Sequence, residues 1–133
     1  MIVEEIKLDK LNAESFIEEQ CRAISSEVGN GTAVNALSGG VDSSVVTILA
    51  HRALGNRART FFIDNGLMRE GEPQQVGSTM SKLGVPVERI DAQDEFFKAL
   101  RGKADPEEKR QAITETFYKN VFGRLVRQSG ARP

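Results

Sequence analysis

Leu37-Ser38-Gly39-Gly40-Val41-Asp42-Ser43-Ser44 follows a short apolar run, Thr32 to Leu37, and precedes a helical pattern, Val45 to Leu54. Strand, glycine-rich turn and helix start, in that order, form an anion cradle. The glycines let the backbone turn tightly and aim N–H groups inward. The new helix adds its unpaired first-turn amides and the positive end of its dipole. Ser38, Ser43 and Ser44 add hydroxyl donors. The expected ligand is a phosphate or a pyrophosphate.

The same octet excludes two commoner phosphate motifs. A Walker A loop needs a lysine after its second glycine, and none stands here. A dinucleotide fingerprint needs three spaced glycines, and only the adjacent Gly39 and Gly40 are present. Asp42 is the unusual member, because a carboxylate beside a polyphosphate is repelled unless a cation lies between them. Magnesium suits that geometry, since it takes carboxylate and phosphate oxygens together. A single serine or aspartate here would read as a plain helix cap. The whole octet between a strand and a helix reads as a phosphate turn.

The chain has 133 residues, enough for one domain with a real core. Its formal net charge is −1, so there is no global basic signal for nucleic acid. No apolar run is long enough to span a bilayer, and Met1 to Lys10 carries acids and lacks the apolar core of a signal peptide. One cysteine, Cys21, excludes an internal disulfide framework and fits a reducing, cytoplasmic setting. Cys21 falls on the apolar face of an expected helix and reads as a small packing residue. His51, the single histidine, is expected on or near a helix surface.

The order of elements sets the fold class. Asn12 caps a first helix, on which Ile17, Cys21, Ile24 and Val28 recur at helical spacing. Strand one is Thr32 to Leu37, and a second helix runs from about Asp42 to Leu54, stopped by Gly55. Strand two covers about Arg59 to Ile63, and a third helix about Glu72 to Leu83. Strand three is expected over Val85 to Ile90, with Pro86 suiting an edge. A short helix follows from Asp94 to Leu100, and Asp105-Pro106 opens a long last one. Ile113, Phe117, Val121 and Leu125 form one stripe on it, with Tyr118, Phe122 and Val126 beside them. Alternating strands and helices mean an α/β, doubly wound parallel sheet. In such sheets ligands lie at the carboxyl ends of the strands, where the octet falls. With only three strands legible, the other edge of strand one is expected to be open, and the fold to be incomplete at the C-terminus.

These residues resemble the ATP pyrophosphatase domain of GMP synthases, within the N-type ATP pyrophosphatase, or PP-loop, superfamily. Ser38 to Ser44 matches the superfamily's pyrophosphate loop. Phe61-Phe62-Ile63-Asp64-Asn65-Gly66-Leu67-Met68-Arg69 resembles the family's second-strand motif. Asp105 to Arg110, with Phe117 following, resembles the helix after its third strand. The likeness covers about Phe16 to Val126. It implies an adenine nucleotide alpha hydrolase-like fold and MgATP-dependent adenylylation of xanthosine monophosphate, followed by amination to GMP. On that resemblance Ser38, Gly39, Gly40, Val41, Asp42, Ser43 and Ser44 hold pyrophosphate, with Ser38, Asp42 and Ser43 serving catalysis and Asp42 binding Mg2+. Ile63 meets adenine through its backbone, and Phe117 packs near the base or merely against the sheet. Arg69 is a phosphate-side or solvated arginine; Asp64 orients ribose or a metal, or ends strand two.

No glutaminase site is legible, since Gln20-Cys21-Arg22 lies inside a helix. The resemblance is therefore to the separate synthetase subunit, fed ammonia by a glutamine amidotransferase subunit and homodimeric in its full-length form. The segments that would hold the acceptor are not recognisable before Pro133, and turnover by these residues alone is not expected. Two alternatives stay open. One is another PP-loop enzyme of the tRNA-thiolating or NAD synthetase type, although paired cysteines and a basic RNA surface are not evident. The other is a non-catalytic ATP-binding module.

Overall fold

The computed structural model describes residues 12–132. The reading of Met1 to Lys10 lies outside the described residues. The described chain builds a parallel sheet in the order β1 (Ala33–Leu37), β2 (Ala58–Asp64), β3 (Glu88–Asp91). Ala33 pairs with Ala58 and Leu37 with Phe62; Phe61 pairs with Glu88 and Asp64 with Asp91. On one face lie α1 (Ala13–Val28), α2 (Val41–Leu54) and α3 (Glu72–Lys82). On the other lie α4 (Gln93–Leu100) and a long helix made of α5 (Pro106–Glu115), a π segment (Thr116–Phe122) and α6 (Gly123–Ser129). Helices on both faces make the sheet doubly wound, as the alternation of elements predicts. β1 forms one edge of the sheet, and no strand among the described residues pairs with its outer side.

Local chemistry places the ends. Asn12 accepts the Ser15 N–H and caps α1, and Asp105 accepts the Glu108 N–H and caps α5, with Pro106 in its first turn. Strand three begins later than its β-branched residues predict. Pro86 has no N–H, and the Val85 N–H is used on Met80 O at 3.0 Å, closing the end of α3. Val85 and Val87 are spent on packing against Leu37 and Met80 instead. His51 lies half-buried on α2, near the helix surface as expected, and its Nδ1 is enclosed without a hydrogen-bond partner.

The main core joins Phe61, Ile63, Ala92, Phe96, Val121 and Leu125, with Val34, Ile90, Ile113, Phe117 and Phe122 packed against it. Side chains alternate along each strand, so Val34 faces this core and Asn35 faces α2. On the long last helix the expected stripe Ile113, Phe117, Val121 and Leu125 does face the core, but the neighbouring row breaks at Tyr118. The core-facing pairs are Ala112/Ile113, Thr116/Phe117, Val121/Phe122 and Leu125/Val126, separated by steps of four, five and four residues. Tyr118 is 62% exposed, whereas Val121 is fully buried. The five-residue step falls inside the π segment, whose i→i+5 hydrogen bonding absorbs the extra residue. Both rows then stay on the sheet. No helix among the described residues is long and apolar enough to cross a membrane.

Candidate functional site: a phosphate turn on the strand rim

Because the strands are parallel, their carboxyl ends share one rim. Ser38, Asn65 and Ala92 are the first residues beyond β1, β2 and β3. The turn after β1 is held by its own serines. Gly39 adopts φ +88°, which only glycine takes without strain, and a Cβ there would lie 3.1 Å from Val76 Cγ2 on α3. Ser43 Oγ accepts the Ser38 N–H at 3.2 Å, lies 2.8 Å from Ser38 Oγ and is 3.2 Å from Gly40 O. Ser44 Oγ donates to Gly40 O at 2.7 Å, and the Gly40 N–H points at Ser38 Oγ at 3.4 Å. The hydroxyls expected to face the ligand thus also brace the turn.

The α2 N-terminus completes the cradle. Its N-cap residue is Gly40, and no side chain caps the first turn. The first-turn amides of Val41, Asp42 and Ser43 have no partner within a helix. Ser38, Gly39, Gly40, Val41 and Asp42 are all exposed and Ser43 is half-buried, so the turn opens to solvent. The arrangement suits an anion with several oxygens. Asp42 stands in that first turn with its carboxylate exposed. Among the described residues no group of three or more His, Cys, Asp or Glu side chains is placed to hold a metal. A divalent cation here would take one carboxylate from the protein and its other oxygens from phosphate and water, which is how magnesium is commonly held.

Ile63 lies on the next strand. β2 continues through Ile63 and Asp64 beyond its last pair with β1, Leu37 with Phe62, so β1 supplies no ladder partner there. Its side chain is buried in the cluster against which Phe117 packs. Phe117 is half-buried in the π segment, edge-to-face with Tyr118 at 4.9 Å and stacked with Phe122 at 6.3 Å. The fold thus gathers the octet on the rim, and Ile63 and Phe117 around one apolar wall. Asp64 is 3% exposed and fully engaged: its carboxylate accepts the Gly66 N–H at 3.0 Å and pairs with Arg89. Burial pushes its pKa up, but the Arg89 hydrogen bond, the Gly66 N–H and the Arg89 charge outweigh that, and the net shift is downward. Of the two readings of Asp64, strand terminator fits this bonding. The Arg69 N–H donates to the Glu72 carboxylate and its carbonyl accepts the Glu72 N–H, both at 3.1 Å, and the residue is exposed. Lys109 and Arg110 lie on an exposed face, where Arg110 pairs with Glu107.

Two contributors escape sequence reasoning. Asn35 Nδ2 donates to Thr47 Oγ1 at 2.9 Å, and Thr47 Oγ1 donates to Ser43 O at 2.7 Å. The only signal in sequence is a polar residue in a strand expected to be apolar. Gly66 is the other: a Cβ there would lie 2.6 Å from Phe97 Cζ, so the turn after β2 sits directly on α4.

A family model described as NAD synthase matches residues 13–127. One subunit of the glutamine-hydrolysing GMP synthase of Archaeoglobus fulgidus is 48% identical over 121 residues, covering 91% of this chain and 39% of that protein. Its namesake from Methanothermobacter thermautotrophicus is 49% identical over 122 residues, with 92% and 39% covered. The chain spans about two fifths of the length of these curated relatives. Among solved structures, an NH3-dependent NAD synthetase from Campylobacter jejuni superposes with a TM-score of 0.74 at 17% identity, covering 91% of this chain and 55% of that one. That likeness is one of fold.

Proposed function

The chain belongs to the NAD synthase family, and on that footing we propose that it is the ATP pyrophosphatase part of a GMP synthase synthetase subunit. The observation that carries the reading is the uncapped turn from Ser38 to Ser44 on the strand rim. The 48% identity to a GMP synthase subunit supports the choice of acceptor. In this reading ATP lies with its β- and γ-phosphates on the amides of Gly39 to Ser43 and its adenine against the Ile63 backbone and the Phe117 wall. The C2 oxygen of xanthosine monophosphate attacks the α-phosphorus, the bond to the β-phosphate oxygen breaks, and pyrophosphate leaves into the cradle. Ammonia then displaces AMP from the adenylylated purine to give GMP.

The residues act by position and charge rather than by covalent chemistry. The amides and hydroxyls of the turn are fixed before the reaction and oppose the charge that grows on the departing pyrophosphate. The Ser38 N–H bond to Ser43 Oγ holds that turn, and on binding the two hydroxyls exchange their bonds within the turn for bonds to the phosphate oxygens. Asp42 would hold Mg2+, which when bound neutralises phosphate charge. Ammonia is supplied by a separate glutamine amidotransferase subunit, the full-length subunit is a homodimer, and the setting is cytoplasmic. The two archaeal relatives are each one subunit of a glutamine-hydrolysing enzyme, which supports the divided arrangement.

Complementation tests the reading. The native reading frame containing this chain is expressed in a host lacking GMP synthase, with ammonium in the medium. Growth without guanine is the expected result. Failure there, with rescue of a host lacking NAD synthetase, would assign the site to the other acceptor.

A further inference from the structure

Asn35 is a polar residue in the strand that feeds the phosphate turn, and Thr47 is a fully buried residue of α2 facing that strand. Parallel strands covered on both faces favour apolar side chains. The bonds around Thr47 can run in only one direction. An amide nitrogen only donates, a carbonyl only accepts, and a threonine hydroxyl has one proton to give. Asn35 Nδ2 therefore donates to Thr47 Oγ1, and Thr47 Oγ1 to the Ser43 carbonyl, at 2.9 and 2.7 Å. Ser43 is the residue whose hydroxyl accepts the Ser38 N–H and meets Ser38 Oγ. A continuous chain of polar contacts thus runs from inside the sheet to the two serines that shape the cradle.

We propose that Asn35 and Thr47 are positioning residues for the pyrophosphate turn. They anchor the first turn of α2 to β1 at a fixed register and so set Ser43 against Ser38. A hydroxyl bonding four residues back pulls its carbonyl outward and bends the helix locally. Asn35 polarises that hydroxyl and fixes its direction. A cradle held in this way spares the ligand the cost of ordering it. This inference rests on the pyrophosphate reading of Ser38 to Ser44.

The test compares the parent chain with Asn35→Val, Thr47→Val, the double variant and Thr47→Ser. Pyrophosphate affinity is measured by calorimetry, and the unfolding midpoint is measured without ligand. Each valine variant is expected to bind pyrophosphate about threefold to tenfold more weakly, the worth of one net hydrogen bond. The double variant should lose little more than either single one, because one chain of contacts is broken once. Its unfolding midpoint should stay near the parent's, since both polar partners leave together. Thr47→Ser keeps the hydroxyl and should restore affinity. Weakened binding at an unchanged midpoint is the signature that a purely structural role would not give. Unchanged affinity in the valine variants, with the parent binding, overturns the positioning role alone. A parent that does not bind pyrophosphate overturns both this inference and the function it rests on. If Thr47→Val does not fold, Asn35→Val decides the matter, because valine suits a strand.

Discussion

Phe117 and Phe122, five residues apart on one helix, stack with ring centroids 6.3 Å apart and planes 19° from parallel. In a regular α-helix neighbours on one face stand three or four residues apart. The π segment makes the five-residue step possible and keeps Phe117 on the wall it shares with Ile63. π turns of this kind are frequent at functional sites.

Deleting Asn120, exposed in that segment, converts the steps of four, five and four into four, four and four. Both apolar rows then fit a plain α-helix. Denaturant unfolding should show a stability close to the parent's. Val121→Ala, by contrast, empties a fully buried position and should cost about 2–3 kcal/mol. A deletion as damaging as Val121→Ala would show that the π segment is required by the fold itself.

Asp64 predicts a specific acid response. Its folded-state pKa lies below the ordinary 3.8 despite burial, because Arg89 and the Gly66 N–H favour the carboxylate. The unfolded chain therefore takes up this proton first as pH falls. The stabilisation is present above about 3.8 and is lost as pH drops through the lower, folded value. Arg89→Met should flatten that part of the stability–pH curve and, by leaving a buried carboxylate short of a partner, cost on the order of 1–3 kcal/mol near neutral pH. Parallel acid limbs in the parent and Arg89→Met would contradict the assignment.

Gly66 supports the same strand end. At φ +73°, with Phe97 and Gln93 pressed against it, an alanine would strain the backbone and push on α4. Gly66→Ala should lower stability by about 1–2 kcal/mol from the backbone term alone. Gly71→Ala, with φ +79° but open space around it, carries that backbone strain without the clash. Thermal unfolding should place Gly66→Ala below Gly71→Ala, and equal midpoints would remove the packing argument.

Asp42→Asn separates the cation from the cradle. On the proposed function, the change removes the carboxylate that would hold Mg2+ but leaves the turn's N–H donors in place. ATP titrated with and without magnesium should show the variant losing most of the metal-dependent gain in affinity. Equal gains in variant and parent would dismiss Asp42 as a magnesium ligand.

The sequence discloses the sheet, the helix order and the rim because each rests on local signals: Gly39-Gly40 before a helix, Asn12 and Asp105 as caps, Gly55 as a stop. The start of β3 is hidden because Val85 and Val87 look like strand residues while the Val85 N–H is committed to Met80. The π segment is hidden because Ile113, Phe117, Val121 and Leu125 already fit a four-residue step, and only tertiary packing shows that Tyr118 faces water. The proposed site, Ser38 to Ser44, is legible because its chemistry is contiguous. Asn35 and Arg89 are not, since each bonds a residue distant in the chain, and Thr47, four residues from Ser43, reads as a plain helix residue until distant Asn35 is seen against it.

The central claim is that the turn from Ser38 to Ser44 binds the pyrophosphate group. Pyrophosphate titrated into isotope-labelled protein, followed by amide chemical shifts, tests it residue by residue. The account predicts saturable shifts that are largest at Gly39, Gly40, Val41, Asp42 and Ser43. Shifts centred elsewhere, such as the cleft between His51 and Pro86, or none at saturating ligand, would contradict it.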